Sequence, residues 1–148
     1  SIQATKHTFE HNYLATVGFE FFSFNIRFKN TVVKLQIWDT CGQEVYRSLV
    51  TSFYRNSSLA IIVYSIAGKK IAKIIVFVYS QKSFDDVDLW LKDLKANSSP
   101  DVKVFLIGNK SDLEDFRLIT KEQAQQYQND FDIELFMETS ALTGYNTQ

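Results

Sequence analysis

The chain has 148 residues, 45% of them hydrophobic and 22% charged, with a formal net charge of −1, which is one domain's worth of sequence with enough apolar material for a core. Near-neutrality gives no electrostatic reason to expect nucleic acid or an anionic membrane as a partner. A single cysteine excludes an internal disulfide and any Cys-based metal cluster, and it suits a reducing, cytoplasmic compartment in which the Asn56 and Asn97 sequons carry no glycosylation.

Taken in order, Ser1 to Tyr13 shows no clear period. His7 and His11 stand four apart but have no third ligand nearby, so a solvated helix end or loop is the expected reading rather than a zinc site. Val17 to Lys29 alternates aromatic and polar residues as a strand does. After a turn at Lys29-Asn30-Thr31, Val32 to Trp38 is a second strand, and the two are predicted to pair as a hairpin. The second is expected to be buried and to end at Asp39, with Gly42 breaking it shortly after.

Gln43 to Arg55 reads as an irregular helix leading into Leu59 to Tyr64, a continuous apolar run of the kind covered on both faces of a sheet. Ser83 is predicted to cap a helix whose first turn holds Asp85 and Asp86. Its core face is Phe84, Val87, Leu91 and Leu94, with Trp90 beside it, and Pro100 closes the loop that follows. Val102 to Ile107 is a second fully apolar strand running into Gly108-Asn109-Lys110-Ser111-Asp112. Thr120 and Gln123 have capping-box spacing, and Ile133 to Met137 is the last strand, followed by Glu138-Thr139-Ser140-Ala141-Leu142.

Strands separated by helices argue for an α/β fold with a mostly parallel sheet between helix layers. Ligands bind such sheets at the carboxyl ends of the strands, and the clusters at residues 39–44, 109–112 and 138–142 all fall at ends of that kind. A strand-end carboxylate can orient water on a metal-bound phosphate, a following glycine lets a backbone N–H approach phosphate oxygen, and a glutamine can orient an attacking water.

The block Trp38-Asp39-Thr40-Cys41-Gly42-Gln43-Glu44 resembles the second switch of Rab-type small GTPases, with Cys41 in place of the usual Ala. Cys41 reads as a small buried side chain rather than a redox sensor. The resemblance runs from about Phe9 to Asn146 and implies a single Rab-like GTPase domain with the three-layer P-loop NTPase-type fold. It implies GTP/GDP and Mg²⁺ as cofactors, and effectors, an exchange factor and a GTPase-activating protein as partners, in vesicle-mediated transport. Thr16 matches the switch threonine that binds Mg²⁺ and meets the γ-phosphate; Asp39 is the second metal-site residue, Gly42 contacts phosphate, and Gln43 is the catalytic residue that orients water. Phe9 falls beside the guanine.

Asn109, Lys110 and Asp112 fit the guanine-reading N-K-x-D motif. Guanine shows N1–H and N2–H₂ donors on one edge, a carboxylate accepts both, and adenine offers no such pair. The Lys110 stem would cover the base, and Asn109 would tie the loop together. Ser140, Ala141 and Leu142 resemble the S-A-K loop whose backbone N–H approaches the guanine carbonyl, with Leu142 replacing Lys. Phe21, Trp38 and Phe53 match the three aromatics of the effector surface, against the alternative that they are simply core.

Two features depart from the family pattern. No G-x-x-x-x-G-K-[ST] phosphate loop occurs, so the domain reads as N-terminally truncated and incomplete at both ends, without the prenylated tail that would bring it to the cytosolic face of endomembranes. The chain alone is therefore expected to fold poorly and to bind GTP weakly or not at all. The second departure is an insertion, Ala67 to Tyr79, expected to be a translated intron or gene-model error, or else a hairpin returning along the same sheet. The alternative function is a non-catalytic Rab-like interaction module that has lost phosphate binding.

Overall fold

A computed structural model describes residues 18–40, 47–71, 74–76 and 78–147. Thr16, Phe9, Cys41, Gly42 and Gln43, with His7 and His11, lie outside the described residues.

The alternating aromatic stretch forms β1 (Phe19–Phe28), and it pairs antiparallel with β2 (Thr31–Thr40) over ten positions from Phe19↔Thr40 to Phe28↔Thr31. Lys29 turns the chain with a positive φ of 53°. The register puts Phe22, Phe24, Ile26, Ile37, Leu35 and Val33 on one side of the ribbon, and Phe21 and Trp38 on the other. β2 was expected to be buried; it is mostly exposed instead, with only Leu35, Ile37, Asp39 and Thr40 half-buried. Among the described residues the hairpin is a sheet of its own, and most of its residues are exposed.

Next come α1 (Arg47–Tyr54), β3 (Leu59–Ser65), β4 (Lys69–Ile71), β5 (Ile74–Val76), α2 (Val78–Asn97), β6 (Lys103–Asn109), a 3-10 helix (Ser111–Phe116), α3 (Lys121–Asp130) and β7 (Leu135–Glu138). Strands β3, β6 and β7 form a parallel sheet with β6 in the middle, aligned from Leu59↔Lys103 to Ser65↔Asn109 and from Phe105↔Leu135 to Gly108↔Glu138. The parallel, helix-crossed sheet is the predicted α/β architecture.

The core lies between one face of this sheet and the helices. Tyr64, Val104 and Leu106 from the strands meet Val87, Leu91 and Leu94 of α2, together with Ile66, Ile119, Ala124 and Ile133. The spacing of Val87, Leu91 and Leu94 puts all three on one side of α2, which is why that helix docks as it does. On the opposite face Leu59, Ile61 and Val63 are 43%, 55% and 57% exposed. The continuous apolar run of β3 predicted cover on both faces, and the described helices supply it on one. An open groove of about 260 Å³, lined by Asp39, Thr40, Ala60 to Val63 and Trp90 among others, separates the end of β2 from β3.

Two local expectations are corrected. Ser83 does not cap a helix, because α2 begins five residues earlier at Val78. Its hydroxyl oxygen instead accepts from the backbone N–H of Ser65 at 3.2 Å, tying the end of β3 to α2. Within residues 67–79, β4 pairs with β5 from Lys69↔Val76 to Ile71↔Ile74, as a separate two-stranded sheet rather than along β3. The capping box is present as expected: the Gln123 N–H donates to Thr120 Oγ1 at 3.1 Å, and the Thr120 N–H donates to Gln123 Oε1 at 2.8 Å. Among the described residues no helix is long and apolar enough to cross a membrane.

Candidate functional site

Parallel strands β3, β6 and β7 end on one side of the sheet, at Ser65, Asn109 and Glu138, and the polar clusters beyond β6 and β7 meet there. Lys110 turns the chain out of β6 in the left-handed region (φ 68°, ψ 36°), a conformation that costs a non-glycine residue about 1–2 kcal/mol. That turn throws the Lys110 side chain outward and starts the 3-10 helix that carries Asp112. Strain at a loop tip is tolerated where surrounding bonds over-determine it, and several do so here. The Ser111 N–H donates to the Thr139 carbonyl at 3.0 Å, the Thr139 N–H to the Gly108 carbonyl at 2.9 Å, and the Leu113 N–H to the Lys110 carbonyl at 2.9 Å.

Side chains complete the lacing. Asn109 Oδ1 accepts from the Ala141 N–H at 3.2 Å and from Thr139 Oγ1 at 3.3 Å. The Ser140 hydroxyl, 1% exposed, donates to Asp112 Oδ1 and accepts from the Thr143 N–H at 3.1 Å. Asp112 is exposed, with one oxygen oriented by Ser140 and its carboxylate at the loop surface. Asn109 thus joins the end of β6 to the loop after β7. The Ala141 amide, expected to face a base carbonyl, is engaged by Asn109 in this arrangement, and Leu142 beside it is 47% exposed.

Gly108 permits the close packing beneath this loop. A Cβ there would sit 2.8 Å from Tyr64 Oη and 2.9 Å from Ile66 Cγ2. Tyr64 is 2% exposed, its hydroxyl has no hydrogen-bond partner among the described residues, and burial, with Glu138 nearby, pushes its ionisation well above the usual range.

Sequence reasoning missed the residue that, among the described residues, has the densest ionic contacts. Arg117 donates from Nη1 and Nη2 to Glu138 at 2.7 and 2.9 Å, and from Nε and Nη2 to Glu114 at 2.7 Å each. Its Nη1 also donates to the Ile119 carbonyl at 2.8 Å, and Lys121 stands 3.6 Å from Glu138. The two carboxylates hold the guanidinium well above its ordinary range, and Arg117 in turn lowers the Glu114 carboxyl. A lone arginine after a short acidic helix has no periodicity to mark it; its partner Glu138 lies 21 residues away.

The switch-side residues fall elsewhere. Asp39 is the penultimate residue of β2, half-buried, opposite Glu20 and on the wall of the groove beside β3. It is one fixed oxygen donor, which suits an Mg²⁺ ion that takes one or two carboxylates and fills its remaining positions with water and phosphate. Among the described residues no group of three or more His, Cys, Asp or Glu could hold a metal. Phe21, Trp38 and Phe53 do come together: Phe21 lies 4.6 Å from Trp38 between ring centroids, and Trp38 stacks on Phe53 at 5.0 Å. Phe19, not singled out from sequence, joins at 4.9 Å from Phe53 and 5.5 Å from Trp38. Phe19, Phe21 and Trp38 are each more than two-fifths exposed, so this cluster is a surface and not a core.

The family model described as "Ras family" matches residues 1–148. The chain belongs to the Ras family of small GTPases, and the parallel sheet with its strand-end loops is the corresponding P-loop GTPase-type α/β fold. Members of that family bind GTP or GDP with Mg²⁺ and work through regulators and effectors.

Proposed function

We propose that this chain is the Rab-type member of its family that the second-switch block resembles, a GTP/GDP switch acting in vesicle traffic on the cytosolic face of endomembranes. The observation that carries the base-binding part is the joining of two strand-end loops through Asn109 and Ser140, which leaves the Asp112 carboxylate oriented at the surface. In this reading Asp112 accepts from guanine N1–H and N2–H₂, the Lys110 stem lies along the base, and the Ser140–Leu142 turn closes its edge. Guanine is selected because a base without those donors leaves the carboxylate unpaired. Thr16 and Asp39 would hold Mg²⁺, which neutralises phosphate charge; Gly42 would meet the γ-phosphate and Gln43 would orient the attacking water. Phe9 would pack beside the base. Effectors would dock on Phe21, Trp38 and Phe53, and an exchange factor and a GTPase-activating protein would set the state of the switch.

A second reading, a non-catalytic interaction module, has one observation in its favour: the exposed aromatic cluster assembles from β1, β2 and α1, apart from the loops that carry Asp112 and Ser140. Ligand-observed NMR titration of the chain with GDP and ADP, with and without Mg²⁺, separates the two, since it reads weak binding. A preference for GDP that Asp112→Ala abolishes supports the switch. Equal or absent binding of both nucleotides overturns it and leaves the module.

A further inference from the structure

Arg117 stands between the two loops that the proposed base site requires. Glu114 belongs to the 3-10 helix that carries Asp112, two residues after it, and Glu138 ends β7, two residues before Ser140. One guanidinium therefore grips both elements, each through two N–H···O bonds of 2.7–2.9 Å. Its side chain is 14% exposed and that of Glu138 is 7% exposed, so the inner pair is shielded while Glu114, at 65%, faces water. The Asn146 side chain donates to the Glu138 carbonyl at 2.9 Å, and Lys121 lies 3.6 Å from its carboxylate, so Glu138 is held from three directions.

We propose that Arg117 is a positioning residue for purine discrimination: by bridging Glu114 and Glu138 it fixes the distance between Asp112 and Ser140, and so the direction in which the Asp112 carboxylate faces a base. The inference rests on the guanine-reading role proposed above. Two carboxylate contacts at a planar fork set angle as well as distance, which a lysine's point charge does not. Ser140 transmits the constraint, because its buried hydroxyl orients Asp112 and it lies two residues beyond Glu138 at the end of β7. Discrimination then depends on a bond network that never touches the base.

The test is the ratio of dissociation constants for GDP and for IDP, which lacks the N2 amino group, measured on the full chain by ligand-observed NMR titration. The unaltered chain is expected to prefer GDP about 10-fold, because a charge-assisted bond is lost with IDP. Arg117→Met should bring the ratio to within about 3-fold, and Arg117→Lys and Glu114→Gln should fall between, because each weakens one arm of the bridge without removing it. Proportional weakening of both nucleotides in Arg117→Met, with the ratio kept, overturns the proposal and makes Arg117 merely structural. If Arg117→Met does not fold, Arg117→Lys decides alone: a ratio reduced two-fold or more (about) supports the proposal, and an unchanged ratio overturns it. An unaltered chain that binds GDP and IDP equally overturns the base-reading role itself, and the role of Arg117 with it.

Discussion

The two ends of the proposed nucleotide site are built in opposite ways. At the base end, residues 108–146 are densely laced, with a buried Ser140, a bonded Asn109 and a doubly bridged Arg117, and Ile66 and Gly68 add backbone bonds from the end of β3. At the switch end, the β1–β2 hairpin is a ten-pair ribbon whose residues are mostly exposed, held at its end by four aromatic rings. The base has one shape in every state of a switch, whereas the switch end must respond to a phosphate that comes and goes. Rigid, over-determined loops suit the first task, and weakly anchored elements near the low-stability end suit the second.

This contrast can be broken from the core outward. Leu106, fully buried in the central strand, should lose about 2–5 kcal/mol of stability on Leu106→Ala, read by urea denaturation, and both ends should fail together. Gly108→Ala should cost about 1–3 kcal/mol by overpacking against Tyr64 and Ile66, and adding Tyr64→Phe should recover part of it by removing the oxygen at 2.8 Å. If the double variant is no better than the single, Ile66 alone sets the limit.

Trp38→Ala removes the centre of the aromatic cluster, whose ring pairs contribute about 0.5–1.5 kcal/mol each. Hydrogen exchange should quicken across β1 and β2 while the amides of β6 keep their protection. An equal loss in β6 would show that the hairpin and the sheet unfold as one unit. The smallest effect concerns Glu114. Arg117 holds its carboxyl below the ordinary value of 4.5, so its contribution is present above that value and is lost as pH falls through the folded-state value. Glu114→Gln should lower the melting temperature slightly at neutral pH, and the difference from the unaltered chain should disappear on acidification, so that the acid limb is flatter.

Much of the base end was legible from residue pattern. Apolar runs at Leu59–Tyr64 and Val102–Ile107 announced parallel strands, and Asn109, Asp112 and Ser140 stood where such strands end. Thr120 with Gln123 announced its helix by local bonding alone. The start of α2 was not legible, because Ser83 is a good cap by residue type while the backbone before it, from Val78, is helical too. Nor was the exposure of β2: an alternating apolar strand states which face wants cover, not whether a neighbour arrives to give it.

By itself, the sequence determined much of what rests on neighbours within a few positions: the β1–β2 hairpin and its turn, the capping box, the apolar face of α2, the Ras-family motifs and the strand-end placement of Asn109 and Ser140. Tertiary structure alone decided that Arg117 meets Glu138 across 21 residues, that Ser140 orients Asp112 across 28, and that four aromatics from three elements form one exposed patch. Periodicity records which side of an element is apolar, since burial acts on each element alone. Which polar partner stands opposite is set by how elements are stacked, and no local pattern carries that distance.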